Sequence, residues 1–141
     1  MSRLAKKPIV IPEKTEVSLS GSTVSVKGPS ATLSRSFHHA VRIVNEAGTL
    51  AVSLSPHASS KQKPLVGTTV AHLKNMLAGA HKPFEKKLVV EGIGFKAEVK
   101  GSTLTLALGF THPVVVPIPS GLKVTAEKNV IAVSGPDIEQ V

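Results

Sequence analysis

Residues 21–26 read GSTVSV, and residues 101–106 read GSTLTL. In the first copy Val17 and Leu19 precede the Gly-Ser pair, and Val24 and Val26 follow it. In the second, Phe95, Ala97 and Val99 precede the pair, and Leu104 and Leu106 follow. Alternate residues of a strand face the same side, so apolar positions two apart on both sides of a turn pair predict an antiparallel hairpin. One chain that writes the same hairpin twice, 80 positions apart, predicts a duplicated unit.

Working outward, Leu50-Ala51-Val52-Ser53 matches Ile131-Ala132-Val133-Ser134, 81 positions later. His39-Ala40-Val41 pairs more loosely with His112-Pro113-Val114, 73 positions later. The matches keep their order, as expected of a repeat of two hairpins followed by a helix. A competing alignment sets 11–30 on 118–137 with six identities in twenty, but it spans one hairpin only. Further short runs predict strands at 33–37, at Val41 with Ile43, and at 50–54 after the turn Glu46-Ala47-Gly48. Others fall at 114–118, 122–126 and 130–133, while Gly28-Pro29 breaks the strand before it.

One segment has a helical period. Across 63–83, Val66, Val70, Leu73, Leu77 and Ala80 recur at offsets 0, 4, 7, 11 and 14, which puts them on one face. Pro64 suits the first turn and Pro83 stops the helix. The expected fold class is α+β: two similar small domains from a duplication, 1–82 and 83–141, each an antiparallel-rich sheet with one packed helix. The second copy reaches only GPDIEQV, where Asp137 and Gln140 resemble a capping box. Five residues cannot make a stable helix. The second domain is therefore expected to lack its helix, and the chain to be a shortened form of something longer.

The run Gly92-x-Gly94-x-x-Ala97 fits a dinucleotide-binding pattern letter for letter. That pattern requires a helix after the glycines and an acidic residue about 20 positions on. Here an alternating strand follows, and the residue 20 beyond Ala97 is Pro117. The glycines instead predict a bend, a bulge or a close backbone approach.

Composition excludes several function classes. The chain has 141 residues, 41% hydrophobic, four Phe and no Cys, so disulfides and thiolate zinc sites are ruled out. No stretch approaches the ~18 apolar residues of a membrane span, and no apolar signal segment opens the chain. These features read as a soluble cytosolic protein. The six His show no metal-ligand spacing, and no nucleophile elbow or carboxylate pair accompanies the many Ser. No cofactor, metal, small-molecule substrate or enzymatic activity is expected.

Charge points to a partner. Seventeen Lys and Arg against nine Asp and Glu give a net charge of +8 and a pI near 10.0, which suits a polyanion. Fourteen of the cations are Lys, which acts as a point charge on phosphate and lacks the bidentate fork that reads guanine. Without Tyr or Trp, a base-stacking platform is poorly supported. RNA shape and backbone are the expected targets. The candidate contacts are Arg3, Lys6 and Lys7 at the N-terminus, and Lys61 and Lys63 before the helix. Lys86, Lys87, Lys96 and Lys100 around an opening hairpin of the second domain, together with His112 before Pro113, complete the set.

The segments SRLAKKPIVIP (2–12), VSVKGPSATLSRSFH (24–38), GTTVAHLKNM (67–76), VEGIGFKAEVKG (90–101) and LGFTHPVVVPIPSGL (108–122) together resemble the large-subunit ribosomal protein six family, bacterial type. The resemblance runs from Ser2 to Val141. It implies a structural, non-catalytic protein of two duplicated α/β domains that binds large-subunit rRNA. It further implies a place near the sarcin–ricin loop and the base of the acidic stalk, beside neighbouring ribosomal proteins, where translational GTPases dock. The family continues with a second helix and a basic tail that carries RNA contacts. The sequence alone leaves a non-catalytic protein-interaction module with a basic surface as the alternative. It also suggests a division of labour, with domain 1 as scaffold and protein-facing surface and domain 2 carrying more of the RNA surface.

Overall fold

Four two-residue loops set the register of the strands in a computed structural model of the chain, which describes residues 3–141. Gly21-Ser22 joins β2 (Glu16–Ser20) to β3 (Thr23–Lys27), and Ala47-Gly48 joins β5 (Val41–Glu46) to β6 (Thr49–Leu54). In the second half Gly101-Ser102 joins β8 (Lys96–Lys100) to β9 (Thr103–Ala107), and Lys128-Asn129 joins β11 (Lys123–Glu127) to β12 (Val130–Gly135). Gly21 and Gly101 both have φ +58°, a left-handed value that glycine adopts without steric cost. The repeated motif therefore encodes the same backbone twice.

The described residues form two compact units divided between Lys82 and Pro83. In the first, β1 (Ile9–Val10) and β5 flank β6, while β2 and β4 (Thr32–Ser36) flank β3. In the second, β7 (Phe84–Val89) and β11 flank β12, while β8 and β10 (Val114–Pro117) flank β9. All pairings are antiparallel and every strand has its counterpart in the same order. Each unit thus holds two three-stranded sheets where a single sheet was expected, because the strand that opens the unit closes onto its last strand. This topology selects the offset of 80–81 and rejects the alignment of 11–30 with 118–137. It also overturns one proposed match: His39 precedes β5, whereas His112 precedes β10, the counterpart of β4.

The helix α1 (Lys63–His81) packs against both sheets of domain 1. Val66, Val70, Leu73, Leu77 and Ala80 are buried, as the period predicts. They meet Ile9, Leu50 and Val52 from one sheet and Val24 and Val26 from the other. Met76 and Thr69 widen the stripe, and Thr69 Oγ1 is satisfied by donating to the Leu65 carbonyl at 2.8 Å. Ser59 starts the segment with a reciprocal cap: its hydroxyl accepts from Lys61 N at 3.4 Å and its own N–H donates to Gln62 Oε1 at 2.9 Å. At the other end, Ser30 N–H donates to the Ala80 carbonyl at 3.0 Å and Ser30 Oγ to that of His81 at 2.9 Å. Those bonds satisfy carbonyls that a helix end leaves open.

Domain 2 has no helix among its described elements. Residues 138–140 form a hydrogen-bonded turn. Asp137 Oδ1 accepts from Glu139 N at 3.0 Å, and the Asp137 carbonyl accepts from Gln140 N and Val141 N at 3.1 Å. The Asp137 carboxylate bonds the N–H two residues on, as the Ser59 hydroxyl does in domain 1.

Candidate nucleic-acid interface

The ten predicted contact residues are all exposed, but the fold does not gather them in one place. Arg3 and Lys6 lie on a short 3-10 turn (Arg3–Lys6) that packs against α1 and β6, and Lys7 follows it. Lys61 and Lys63 lead into α1. The hairpin predicted about Gly101-Ser102 forms, with β8 paired to β9, whereas β7 pairs with β12. Lys86 and Lys87 therefore stand in one sheet, and Lys96 and Lys100 in another. The long-range pairing of β7 with β12 carries no local signal.

Two of these lysines have carboxylate partners. Lys87 Nζ lies 3.7 Å from Glu85, and Lys100 Nζ lies 3.6 Å from Glu98. Residues two apart on a strand share a face, so each Glu sits beside its Lys by construction. Exposed pairs of this kind add little stability, but they locally neutralise the charge a phosphate would meet.

His112 occupies the loop between β9 and β10, next to Phe110, which is 66% exposed. The turn between β7 and β8 carries Gly92, the fully exposed Ile93, and Gly94. A Cβ on Gly92 would fall 2.4 Å from the Phe95 ring, and one on Gly109 would fall 3.6 Å from it. Phe95 thus holds the two loops together at one end of the β8–β9–β10 sheet. The glycine pattern serves that close approach, and strand β8 follows it in place of a helix.

The pattern of the Ribosomal protein L6 family matches residues 11–82 and 91–141, one stretch in each unit. Large ribosomal subunit protein uL6 of Desulforapulum autotrophicum is 42% identical over 142 aligned residues, covering 100% of this chain and 79% of the relative. The uL6 of Azoarcus sp. is 42% identical, covering 100% of this chain and 80% of the relative, and that of Magnetococcus marinus is 41% identical over 99% and 78%. The chain belongs to the ribosomal protein L6 family. It is a structural, non-catalytic protein of the large ribosomal subunit.

In this L6-family chain the charge is divided unevenly. Residues 1–82 hold eleven Lys and Arg and three Glu, whereas residues 83–141 hold six Lys and six acidic residues. The whole surplus of +8 therefore belongs to domain 1. Two of the histidines make structural contacts: His38 Nδ1 accepts from Ala40 N at 3.0 Å, and the His38 and His39 rings stack with centroids 4.1 Å apart. Among the described residues no three His, Cys, Asp or Glu side chains come together as a metal would require. Nor is any described helix long and apolar enough to cross a membrane.

Proposed function

We propose that the chain holds large-subunit rRNA in the cytoplasmic ribosome through Lys and Arg contacts to phosphates, near the sarcin–ricin loop and the stalk base. There it supports the surface on which translational GTPases dock, with neighbouring ribosomal proteins as its other partners. The observation that carries this reading is similarity over the whole of this chain, at 42% identity, to a protein named as large ribosomal subunit protein uL6. The net charge of +8 supports it, since a basic surface releases counterions when it neutralises phosphates. The contacts are drawn from the exposed cations of both domains, with His112 at the tip of domain 2.

The test is binding to an rRNA fragment containing the sarcin–ricin region, beside an unrelated duplex RNA, over a salt series. The expected result is tighter binding to the cognate fragment with affinity falling steeply as salt rises. Equal affinity for both RNAs would overturn the assigned location. Binding to neither would favour a protein-interaction module, for which exposed Ile93 and Phe110 would be the docking residues.

A further inference from the structure

The four Phe stand far apart in the sequence, at 37, 84, 95 and 110, and of these only Phe110 is exposed. The fold of domain 2 nevertheless brings two of them to one place. Lys96 pairs with Ala107, so the turn before β8 and the loop after β9 lie at the same end of the β8–β9–β10 sheet. The half-buried Phe95 ring fills the gap, against Gly92 on one side and Gly109 on the other. Gly94 and Gly109 have φ +77° and +79°, left-handed values that glycine adopts without steric cost. Single exposed apolar residues are ordinary on a surface. Here Ile93 and Phe110 are both held outward on two loops that a third apolar side chain braces.

Domain 2 holds as many acidic as basic residues, so an RNA contact there cannot rest on net charge. A flat aromatic ring supplies another source of affinity. Every base has a π-face, and an unpaired base can stack on such a ring whatever its identity. An added Cβ on Gly94 would meet no atom within 4 Å, so the space beside Ile93 is open to a planar group. Lys96 follows Phe95 directly, and His112 lies two residues beyond Phe110; both are exposed. Among the described residues neither makes an ion pair, in contrast to Lys87 and Lys100. The loops 90–95 and 108–113 contain one carboxylate, Glu91.

We infer that the tip of domain 2 is a base-stacking site, where Phe110 stacks on an unpaired base of large-subunit rRNA and Ile93 packs beside it. Lys96 and His112 donate to the phosphates that flank this base. The inference deepens the rRNA-binding reading and rests on it. An apolar protein surface would also bury Ile93 and Phe110, but it would leave the two neighbouring polar groups desolvated without partners.

The test uses the full chain and deproteinised large-subunit rRNA, with Phe110→Ala, Phe110→Leu and Phe110→Trp. Phe110 is exposed, so each variant should keep its fold, and circular dichroism checks this. Phe110→Ala and Phe110→Leu are both expected to lose at least about five-fold in affinity, with the log–log salt slope unchanged because no charge is removed. Phe110→Trp should bind within about two-fold of the unsubstituted chain. Its indole, the sole one in a chain without Trp, should be quenched by the stacked base. Full affinity in Phe110→Leu, or an indole that stays unquenched in the complex, would overturn the stacking site while leaving rRNA binding intact. Full affinity in Phe110→Ala as well would leave the tip to a protein partner. If the unsubstituted chain does not bind the rRNA, the rRNA-binding reading falls and this inference with it.

Discussion

Ile9 and Leu88 are the same residue of the repeat. Ile9 on β1 pairs with Leu50 on β6, and Leu88 on β7 pairs with Ile131 on β12. Leu50 and Ile131 are both buried, yet Ile9 is 5% exposed and Leu88 58%. The same contrast holds on the other sheet, where Val24 and Val26 are buried and their counterparts Leu104 and Leu106 are only half-buried. Strand pairing and register are therefore indifferent to the helix, because backbone hydrogen bonds and two-residue loops set them. Burial depends on it. α1 is what turns two apolar sheet faces into a core, and each large aliphatic side chain it covers contributes about 1.5–3 kcal/mol.

The sharpest way to break this comparison is Leu73→Ala. Leu73 is fully buried between the sheets, so its loss should cost about 2–5 kcal/mol. Urea unfolding followed at 222 nm reads it, because α1 is the one α-helix among the described elements. Leu88→Ala should stay within about 0.5 kcal/mol, and a loss as large as that at Leu73 would mean that domain 2 has a core of its own at that face.

Gly28→Ala should come next. A Cβ there would fall 2.4 Å from the Ala80 carbonyl oxygen, forcing β3 and the end of α1 apart for about 1–3 kcal/mol. The counterpart after β9 is Leu108, which meets no helix end. Truncating it to Ala should disturb stability less than Gly28→Ala does, as paired thermal melts would show.

The smallest effect is expected at the turn before the first hairpin. Lys14 has φ +60°, and its counterpart Gly94 has φ +77°. A side chain is strained in this region and glycine is not, so Lys14→Gly should gain roughly 0.5–1 kcal/mol, less the entropy that glycine loses on folding. Gly94→Ala should have the opposite sign. Melting temperatures that move in the same direction for both would show that the turns are not equivalent.

Much of the fold was readable because its signals are local. The period of α1, the prolines at its ends, and the Gly-Ser hairpins each depend on residues within a few positions of one another. The bond from Glu139 N to Asp137 Oδ1 is local in the same way, since it joins residues two apart. Strand β1 was missed: two residues carry no period, and Ile9 becomes a strand residue only by pairing with Leu50, forty-one positions away. The false match of His39 with His112 shows the converse hazard, since a short resemblance in turn chemistry can join elements that occupy different places. At the candidate interface, identity and exposure of the basic residues followed from their chemistry, but their grouping did not.

Composition, charge sign, the duplicated hairpins and the helix were determined by the sequence alone, because each is a property of residue type or of spacing along the chain. Only the tertiary structure decided that β7 closes onto β12, that Lys86 and Lys96 belong to different sheets, and that the N-terminal turn packs against α1. The physical reason is the same in each case: antiparallel pairing and helix packing bring together residues dozens of positions apart, and no local pattern records which partner they find.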